Sequence, residues 1–367
     1  MQTINDISVV LPSLDPDEKL LSTIDGLLEV GFSDIILIND GSKPENLHYF
    51  EKAAEHPQIH LLHHEVNRGK GAALKTAFAW FLENRPDATG VITVDGDGQH
   101  HPEDTLACCE KMLQTGEVIL GCRDFSLPGI PARSRGGNKA TCVVFKIFCG
   151  MTISDTQTGL RAIPTDAVRA FTKVKGDRFE YETNMLLAMK EQDIPYGEVK
   201  IRTVYIEENK SSHFRVIRDS VRIYLLILSH FFRYTVSSLL SAAVDTGVFS
   251  LLSWLLQGIL TGTLLTAVPT VAARVVSSLF NFFLNKKLVF HSKASTGKAL
   301  LRYYALAIPQ LCLQFGFTEG AYRLFRIADS QTGLRTLIYV VVMTVLFILS
   351  YMIQQRWVFR ANKKEKD

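Results

Sequence analysis

Four apolar stretches, near residues 234–256, 262–284, 303–325 and 335–355, dominate the second half of this 367-residue chain. Each is long enough to cross a hydrocarbon core about 30 Å thick. In lipid every backbone N–H and C=O must find its partner inside the protein, so stretches this long and this apolar fold as helices. The third is the most diluted, by Pro309, Gln310, Gln314 and Glu319. Residues 1 to about 212 are mixed in polarity and fairly charged, and they read as a separate domain outside the bilayer.

Lysine and arginine in the short loops set the expected orientation. Lys286, Lys287, Lys293, Lys298 and Arg302 lie between the second and third stretches, and Arg356, Arg360, Lys363, Lys364 and Lys366 follow the fourth. The loop from Leu256 to Gly262 carries no charge. The pattern predicts four spans with both chain ends cytoplasmic, although Arg323, Arg326 and Arg335 run against it. Asp245 and Arg274 fall inside spans, where a charge is costly unless it faces protein or water, and they either pair with each other, the reading favoured here, or mark a polar path for a head group. A net charge of +3 does not point to nucleic acid, and the cations gather beside the spans as contact with anionic lipid requires. Five of the six cysteines precede residue 212, with no C-x-x-C and no metal-ligand spacing, and read as reduced thiols. Residues 1–11 show neither a positive start nor a cleavage site, so no signal peptide is expected.

In the first half, strand patterns at Ile7–Leu11, Asp34–Ile38, Gln58–His63, Gly90–Val94 and Glu117–Gly121 alternate with helical patterns near 17–30, 44–55, 72–84 and 103–114. That alternation predicts βαβ units and a mainly parallel sheet. Ligands of such sheets bind at the carboxyl ends of the strands, and this chain places polar clusters there. They are Pro12-Ser13-Leu14-Asp15, Asn39-Asp40-Gly41-Ser42, Asn67-Arg68-Gly69-Lys70-Gly71 and Asp95-Gly96-Asp97. Each alone would pass for a turn. Asp95 and Asp97, one residue apart at the end of an apolar run, offer hard oxygen ligands suited to Mg2+ or Mn2+ holding a diphosphate.

These residues resemble the family 2 glycosyltransferases of GT-A fold, closest to the dolichol-phosphate mannosyltransferase-like branch that puts a sugar on a polyprenyl phosphate. The matching elements are Val10-Leu11-Pro12-Ser13, Asn39-Asp40-Gly41-Ser42, Asn67 to Ala73, Asp95-Gly96-Asp97-Gly98-Gln99-His100, Gly121-Cys122-Arg123 and Asp155-Thr156-Gln157-Thr158-Gly159-Leu160-Arg161. The resemblance implies a Rossmann-like α/β catalytic domain over 1–212, with Pro12, Ser13, Asp15 and Asp40 at the nucleotide's base and ribose. Lys70, Asp95, Gly96 and Gln157 would complete the nucleotide-sugar site. Asp95, Asp97 and Gln99 would hold the metal, and Asp155, Gln157 and Gly159 would face the sugar. Two departures stand out: Asn39 replaces the first Asp of D-D-G-S, and no Arg opens the segment Glu207 to His213, which leaves Lys210 as the cation there.

Residues 213–232, with Arg215, Arg218 and Arg222 set among apolar residues, read as a juxtamembrane amphipathic helix, with an ordinary helix packed on the catalytic domain as the equal alternative. Residues 233–359 resemble the GtrA-like four-span domain, and 360–367 form a basic tail. An internal echo, Asn285 to Phe290 against Gln355 to Phe359, suggests two equivalent hairpins.

The expected reaction is metal-dependent, inverting transfer of a sugar from a nucleotide sugar to a polyprenyl phosphate at the cytoplasmic face. Asp95, Asp97, Arg123 and Arg135 would be catalytic, with Arg123, Arg133, Arg135 and Lys210 on the acceptor phosphate through the bidentate geometry of arginine. The partners expected are a UDP-sugar, with GDP-mannose as the alternative, undecaprenyl phosphate, the membrane and a second copy in a homo-oligomer. A processive polysaccharide synthase is the competing enzyme; Q-x-x-R-W is absent from the first half, and Gln354-Gln355-Arg356-Trp357 lies at the last span. A lipid-sugar flippase that only binds the nucleotide sugar is the non-enzymatic alternative.

Overall fold

The computed structural model describes residues 3–127, 130–202 and 216–360. The chain separates into two compact units, Met1–Leu225 and Leu226–Asp367.

The first unit is built on a seven-stranded sheet. Its strands are β1 (Ile7–Ser13), β2 (Ile35–Asp40), β3 (Ile59–His64), β4 (Gly90–Thr93), β5 (Val118–Arg123), β6 (Arg161–Pro164) and β7 (Tyr196–Ile201). They lie in the order β3-β2-β1-β4-β6-β5-β7. β3, β2, β1 and β4 are mutually parallel, β5 is parallel to β7, and β6 runs against both of its neighbours. The mainly parallel α/β sheet expected from the alternation is therefore present, and the five anticipated strands start within a residue of their expected places.

β6 and β7 were not anticipated, and their sequences explain why. β6 is four residues ending in proline, while β7 is Tyr-Gly-Glu-Val-Lys-Ile, an edge strand that keeps its Glu198 and Lys200 exposed. Neither carries a β-branched run. β2, by contrast, is buried along its whole length, as its Ile-Ile-Leu-Ile run demands of a strand covered on both faces.

Helices α1 (Glu18–Glu29), α2 (Leu47–Ala53), α3 (Lys70–Asn84) and α4 (Pro102–Thr115) provide the crossovers. Asp17 caps α1 by accepting the Lys19 N–H, and α4 opens on Pro102 and stops at Gly116, whose φ of 68° suits glycine. The core runs from Ile7, Val9 and Leu11 through Ile24, Ile35 and Leu37 to Ile92 and Val94, all fully buried. Each such side chain contributes about 1.5–3 kcal/mol of burial. Helices α5 (Ala132–Val144), α6 (Thr165–Phe171) and α7 (Glu180–Glu191) follow. Helix α8 (Val216–Ile227) covers most of the expected amphipathic segment, and its Tyr224 hydroxyl meets Thr141 Oγ1 of α5 at 3.1 Å.

The second unit holds α9 (Ser229–Leu256), α10 (Thr263–Leu284), α11 (Thr296–Leu324) and α12 (Thr332–Ile353). Three segments, Ser229–Leu256, Thr263–Val289 and Thr332–Val358, are long and apolar enough to cross a membrane. At 29 residues α11, which contains nearly all of the expected third span, is long enough but falls short in apolarity, in keeping with its Pro309, Gln310, Gln314 and Glu319.

α10 and α12 each run into a π turn, Asn285–Val289 and Gln354–Val358, closed by the Phe290 N–H on Asn285 O and the Phe359 N–H on Gln354 O, both at 2.9 Å. The sequence echo is thus a structural one. The Asn285 amide donates to Gln354 Oε1 at 3.1 Å, and the rings of Phe290 and Phe359 stack at 5.1 Å. Asp245 accepts the Ser277 hydroxyl at 2.8 Å and lies 3.6 Å from Arg274, so the two in-span charges do pair.

Candidate functional site

A cavity of about 230 Å³ opens beyond the carboxyl ends of β1, β2 and β4. Its wall takes Pro12, Ser13 and Asp15 from β1 and the loop that follows, Asp40 from the end of β2, Lys70 from the start of α3, and Asp95, Gly96 and Asp97 from the turn after β4. Eight residues from four separate clusters thus share one wall. Parallel neighbours with crossovers on both faces bring these ends together.

Asp15 and Asp40 do structural work at the rim. Asp15 adopts a φ of 48°, its N–H donates to Ser42 Oγ at 2.8 Å, and its Oδ1 accepts the Lys43 N–H at 2.8 Å. It thereby ties the loop after β1 to the loop after β2. Asp40, almost fully buried, accepts the N–H groups of Arg68 and Gly69 at 3.0 and 2.7 Å and meets His64 Nδ1 at 2.7 Å. It holds the loop that leads into α3. Asn39, which stands where the resembled motif has Asp, accepts the Ser42 N–H at 2.9 Å, a turn-closing bond an amide oxygen makes as well as a carboxylate.

Lys70 is the first residue of α3, where a cation opposes the helix dipole, and two carboxylates compensate it. Its Nζ lies 2.7 Å from Asp95 Oδ1 and 3.0 Å from Glu182 Oε1 of α7. His100 Nε2 stands 3.5 Å from the other Asp95 oxygen. Burial alone would lower the Lys70 pKa, but the two carboxylates more than reverse it and keep the ammonium charged. Burial likewise opposes ionisation of Asp95, yet Lys70 and His100 hold its carboxyl well below the usual range. Asp97 behaves in the opposite way: burial and the Asp95 charge push its carboxyl up, and its bond from the Gln99 N–H at 3.1 Å offsets only part of this. A second carboxylate beside the first, resisting ionisation, is an arrangement a divalent cation would relieve. No group of three or more His, Cys, Asp or Glu placed to hold a metal occurs among the described residues. The two carboxylates fit Mg2+ or Mn2+ nonetheless, since these ions complete their shells with water and substrate phosphate.

Gly159 packs against this pair. A Cβ built there would stand 2.4 Å from Asp95 Oδ2 and 3.1 Å from Lys70 Nζ.

Arg123 and Arg135 do not line this cavity. Arg123, at the end of β5, forms a fork with Asp155, Nε to Oδ2 at 2.7 Å and Nη2 to Oδ1 at 3.1 Å. Asp155 is fully buried, so it orients Arg123 and is closed to a sugar, contrary to expectation. Arg135 lies exposed in the first turns of α5 and donates to Leu127 O at 3.2 Å. Gln157 is exposed, spends its N–H on Asp155 Oδ1 and does not line the cavity. The Arg133 side chain and Lys210 fall outside the described residues.

Three residues that sequence reasoning missed belong to the segment entering α7. Arg178 and Phe179 line the cavity, and Glu182 holds Lys70. Gly71 lets α3 approach that segment, since a Cβ there would lie 2.5 Å from Tyr181 Cβ. The visible signal was the charged Lys175-Gly176-Asp177-Arg178 turn ahead of a helix, which resembles any surface turn.

Residues 8–169 match Glycosyl transferase family 2, and residues 233–359 match the GtrA/DPMS transmembrane domain. The UDP-N-acetylglucosamine–dolichyl-phosphate N-acetylglucosaminyltransferase of Methanococcus voltae is 24% identical, over 55% of this chain and 86% of its own. The undecaprenyl-phosphate mannosyltransferase of Micrococcus luteus is 28% identical, over 45% of this chain and 68% of its own. Among solved structures, glucosyl-3-phosphoglycerate synthase of Mycobacterium tuberculosis superposes with a TM-score of 0.47 at 15% identity, over 62% of this chain and 82% of its own.

Proposed function

For a chain that is a family 2 glycosyltransferase over residues 8–169 and a GtrA/DPMS transmembrane domain over 233–359, we propose sugar transfer from a nucleotide sugar to the phosphate of a polyprenyl phosphate. The observation that carries this reading is the cavity at the carboxyl edge of the sheet, where Lys70, Asp95 and Asp97 meet the rim residues Pro12, Ser13, Asp15 and Asp40. The relatives named for dolichyl-phosphate and undecaprenyl-phosphate transfer support the acceptor class.

The acceptor needs no general base. A phosphate monoester carries between one and two negative charges at neutral pH, its second pKa being about 6. The protein's task is to bring two anions together in line and stabilise the leaving nucleoside diphosphate. Pro12, Ser13, Asp15 and Asp40 take the base and ribose, and Asp95, Asp97 and Gln99 hold Mg2+ or Mn2+. The bound cation supplies charge neutralisation on the diphosphate. Arg123, oriented by Asp155, and Arg135 grip the acceptor phosphate with fork geometry. A single displacement inverts the anomeric carbon, so an α-linked donor yields a β-linked lipid sugar.

The reading extends to undecaprenyl phosphate as the acceptor, a UDP-sugar as the donor, and a catalytic domain of residues 1–212 on the cytoplasmic side of a cell membrane. Residues 213–232 then lie at the interface, and 360–367 form a basic cytoplasmic tail. The test is purified full-length protein with undecaprenyl phosphate, Mn2+ and a panel of labelled nucleotide sugars. Label extracted into organic solvent is the expected product. Polymer, or binding without turnover, overturns the reading.

A further inference from the structure

The Lys70 ammonium sits between two carboxylates of unequal duty. One is Asp95, 2.7 Å away in the cavity wall, and the other is Glu182, 3.0 Å away on α7. Glu182 is fixed. Its backbone oxygen accepts Arg161 Nη1 at 2.8 Å, and the fully buried Arg161 is itself anchored by Nε on Thr158 O at 3.1 Å. The adjacent Tyr181 is fully buried and donates its hydroxyl to Phe171 O at 2.8 Å. Lys70, by contrast, carries its charge on a flexible four-carbon stem. Gly159 closes one side, since even a Cβ there would come within 3.1 Å of Nζ, which leaves Glu182 as a partner already within reach.

Asp95 cannot serve a divalent cation and an ammonium equally well. Two positive charges sharing one partly buried carboxylate repel each other. We infer that Glu182 is a positioning residue: it is the second berth to which the Lys70 ammonium withdraws when a divalent cation takes Asp95. In the metal-free state Lys70 stands in for the cation and keeps Asp95 in place. When the metal arrives, Glu182 keeps the displaced charge compensated and beside the cavity. The inference rests on the metal reading above. It concerns a residue beyond the 8–169 stretch that matches the family.

The test is Mn2+ binding to the full-length protein in detergent, followed by electron paramagnetic resonance with no nucleotide present. Glu182→Gln removes the second carboxylate and strengthens the hold of Lys70 on Asp95, so Mn2+ affinity falls about tenfold or more, with Glu182→Asp recovering part of the loss. Lys70→Gln removes the competitor, so Mn2+ binds more tightly than to wild type, by roughly tenfold. Structural damage to the wall weakens binding in both variants, so the opposite signs set it aside, and a Glu182→Gln/Lys70→Gln double variant that binds Mn2+ like Lys70→Gln alone shows that Glu182 acts through Lys70 and not as a remote charge. Wild-type affinity in Glu182→Gln, or weakened binding in Lys70→Gln, overturns the inference while leaving the metal site intact. Wild-type protein that binds no Mn2+, or an Asp97→Asn variant that binds it as well as wild type, removes the metal reading and the inference with it. Thermal melts with saturating Mn2+ confirm that each variant is folded.

Discussion

Gly159 sits so close to Asp95 that a methyl group in place of its hydrogen would stand 2.4 Å from Oδ2. Its carbonyl is fixed as well, accepting the Thr93 hydroxyl at 2.6 Å across the β4–β6 junction. The glycine can therefore not back away. Gly159→Ala is expected to push Asp95 off its position and cost at least about tenfold in turnover, with a loss of stability within the ordinary 0.5–3 kcal/mol range of point mutations. Wild-type kinetics in this variant would show that Asp95 has no fixed task.

Asp97→Asn keeps the turn, since an amide oxygen can still accept the Gln99 N–H. It removes one charged ligand from the proposed metal site. Turnover with Mg2+ or Mn2+ should fall at least about a hundredfold, the scale of losing several kcal/mol of charge stabilisation. A metal-dependent rate like wild type would refute the assignment.

The Asp97 carboxyl is pushed up by burial and by the Asp95 charge. A folded-state value above the unfolded one means that its proton stabilises the fold. That contribution is complete below the unfolded value, about 3.9, and is lost as pH rises through the folded value. Metal-free protein at neutral pH thus carries an electrostatic cost that a divalent cation offsets. Mn2+ should raise the melting temperature at pH 7 more than at pH 5, and in Asp97→Asn the difference between the two pH values should shrink. A melting shift independent of pH in wild type contradicts this account.

For the acceptor side, Asp155→Asn and Arg135→Ala are the informative pair. Asp155 gives Arg123 its fork, so the amide should raise the apparent KM for undecaprenyl phosphate by roughly tenfold, one lost charge-assisted bond, while UDP-sugar binding measured without lipid stays near wild type. Arg135→Ala should act in the same direction. A parallel fall in donor affinity would move both arginines to the diphosphate side.

Topology is checked by cysteine labelling. A single cysteine placed within residues 257–261 is expected to react with an impermeant maleimide from outside intact cells. Reaction only after the membrane is opened would reverse the proposed orientation.

Much of the catalytic unit was legible because its signals are local. Ile35 to Ile38 can hardly be anything but a buried strand, and the polar clusters at strand ends announce a shared edge. The cavity then gathers Pro12, Ser13, Asp15, Asp40, Lys70, Asp95 and Gly96 as that edge requires. What stayed hidden depends on packing between distant segments. Glu182 meets Lys70 only because Gly71 lets α3 press against the turn before α7, and nothing around Glu182 distinguishes it from a solvated helix residue. The Arg123–Asp155 fork joins residues 32 apart, across a reversal created by the antiparallel β6. β6 itself is too short to show a period.

The amide pair at the ends of α10 and α12 bears on how the membrane half assembles. Asn285 finds Ser237 and Asn281 within its own hairpin, at 2.8 and 2.9 Å, and asks only one bond of Gln354. Gln354 is less self-sufficient. It has Ser350 beside it at 3.1 Å but takes Tyr234 and Asn285 from the earlier helices, each at 3.1 Å. A leading hairpin that leaves the ribosome first can thus satisfy most of its buried polar groups and wait. The trailing hairpin carries an amide whose partners exist only once the first has inserted. Synthesis from the N-terminus therefore delivers Gln354 after the partners it needs, and swapping the two helix pairs in the gene is expected to lose more than their separate stabilities suggest.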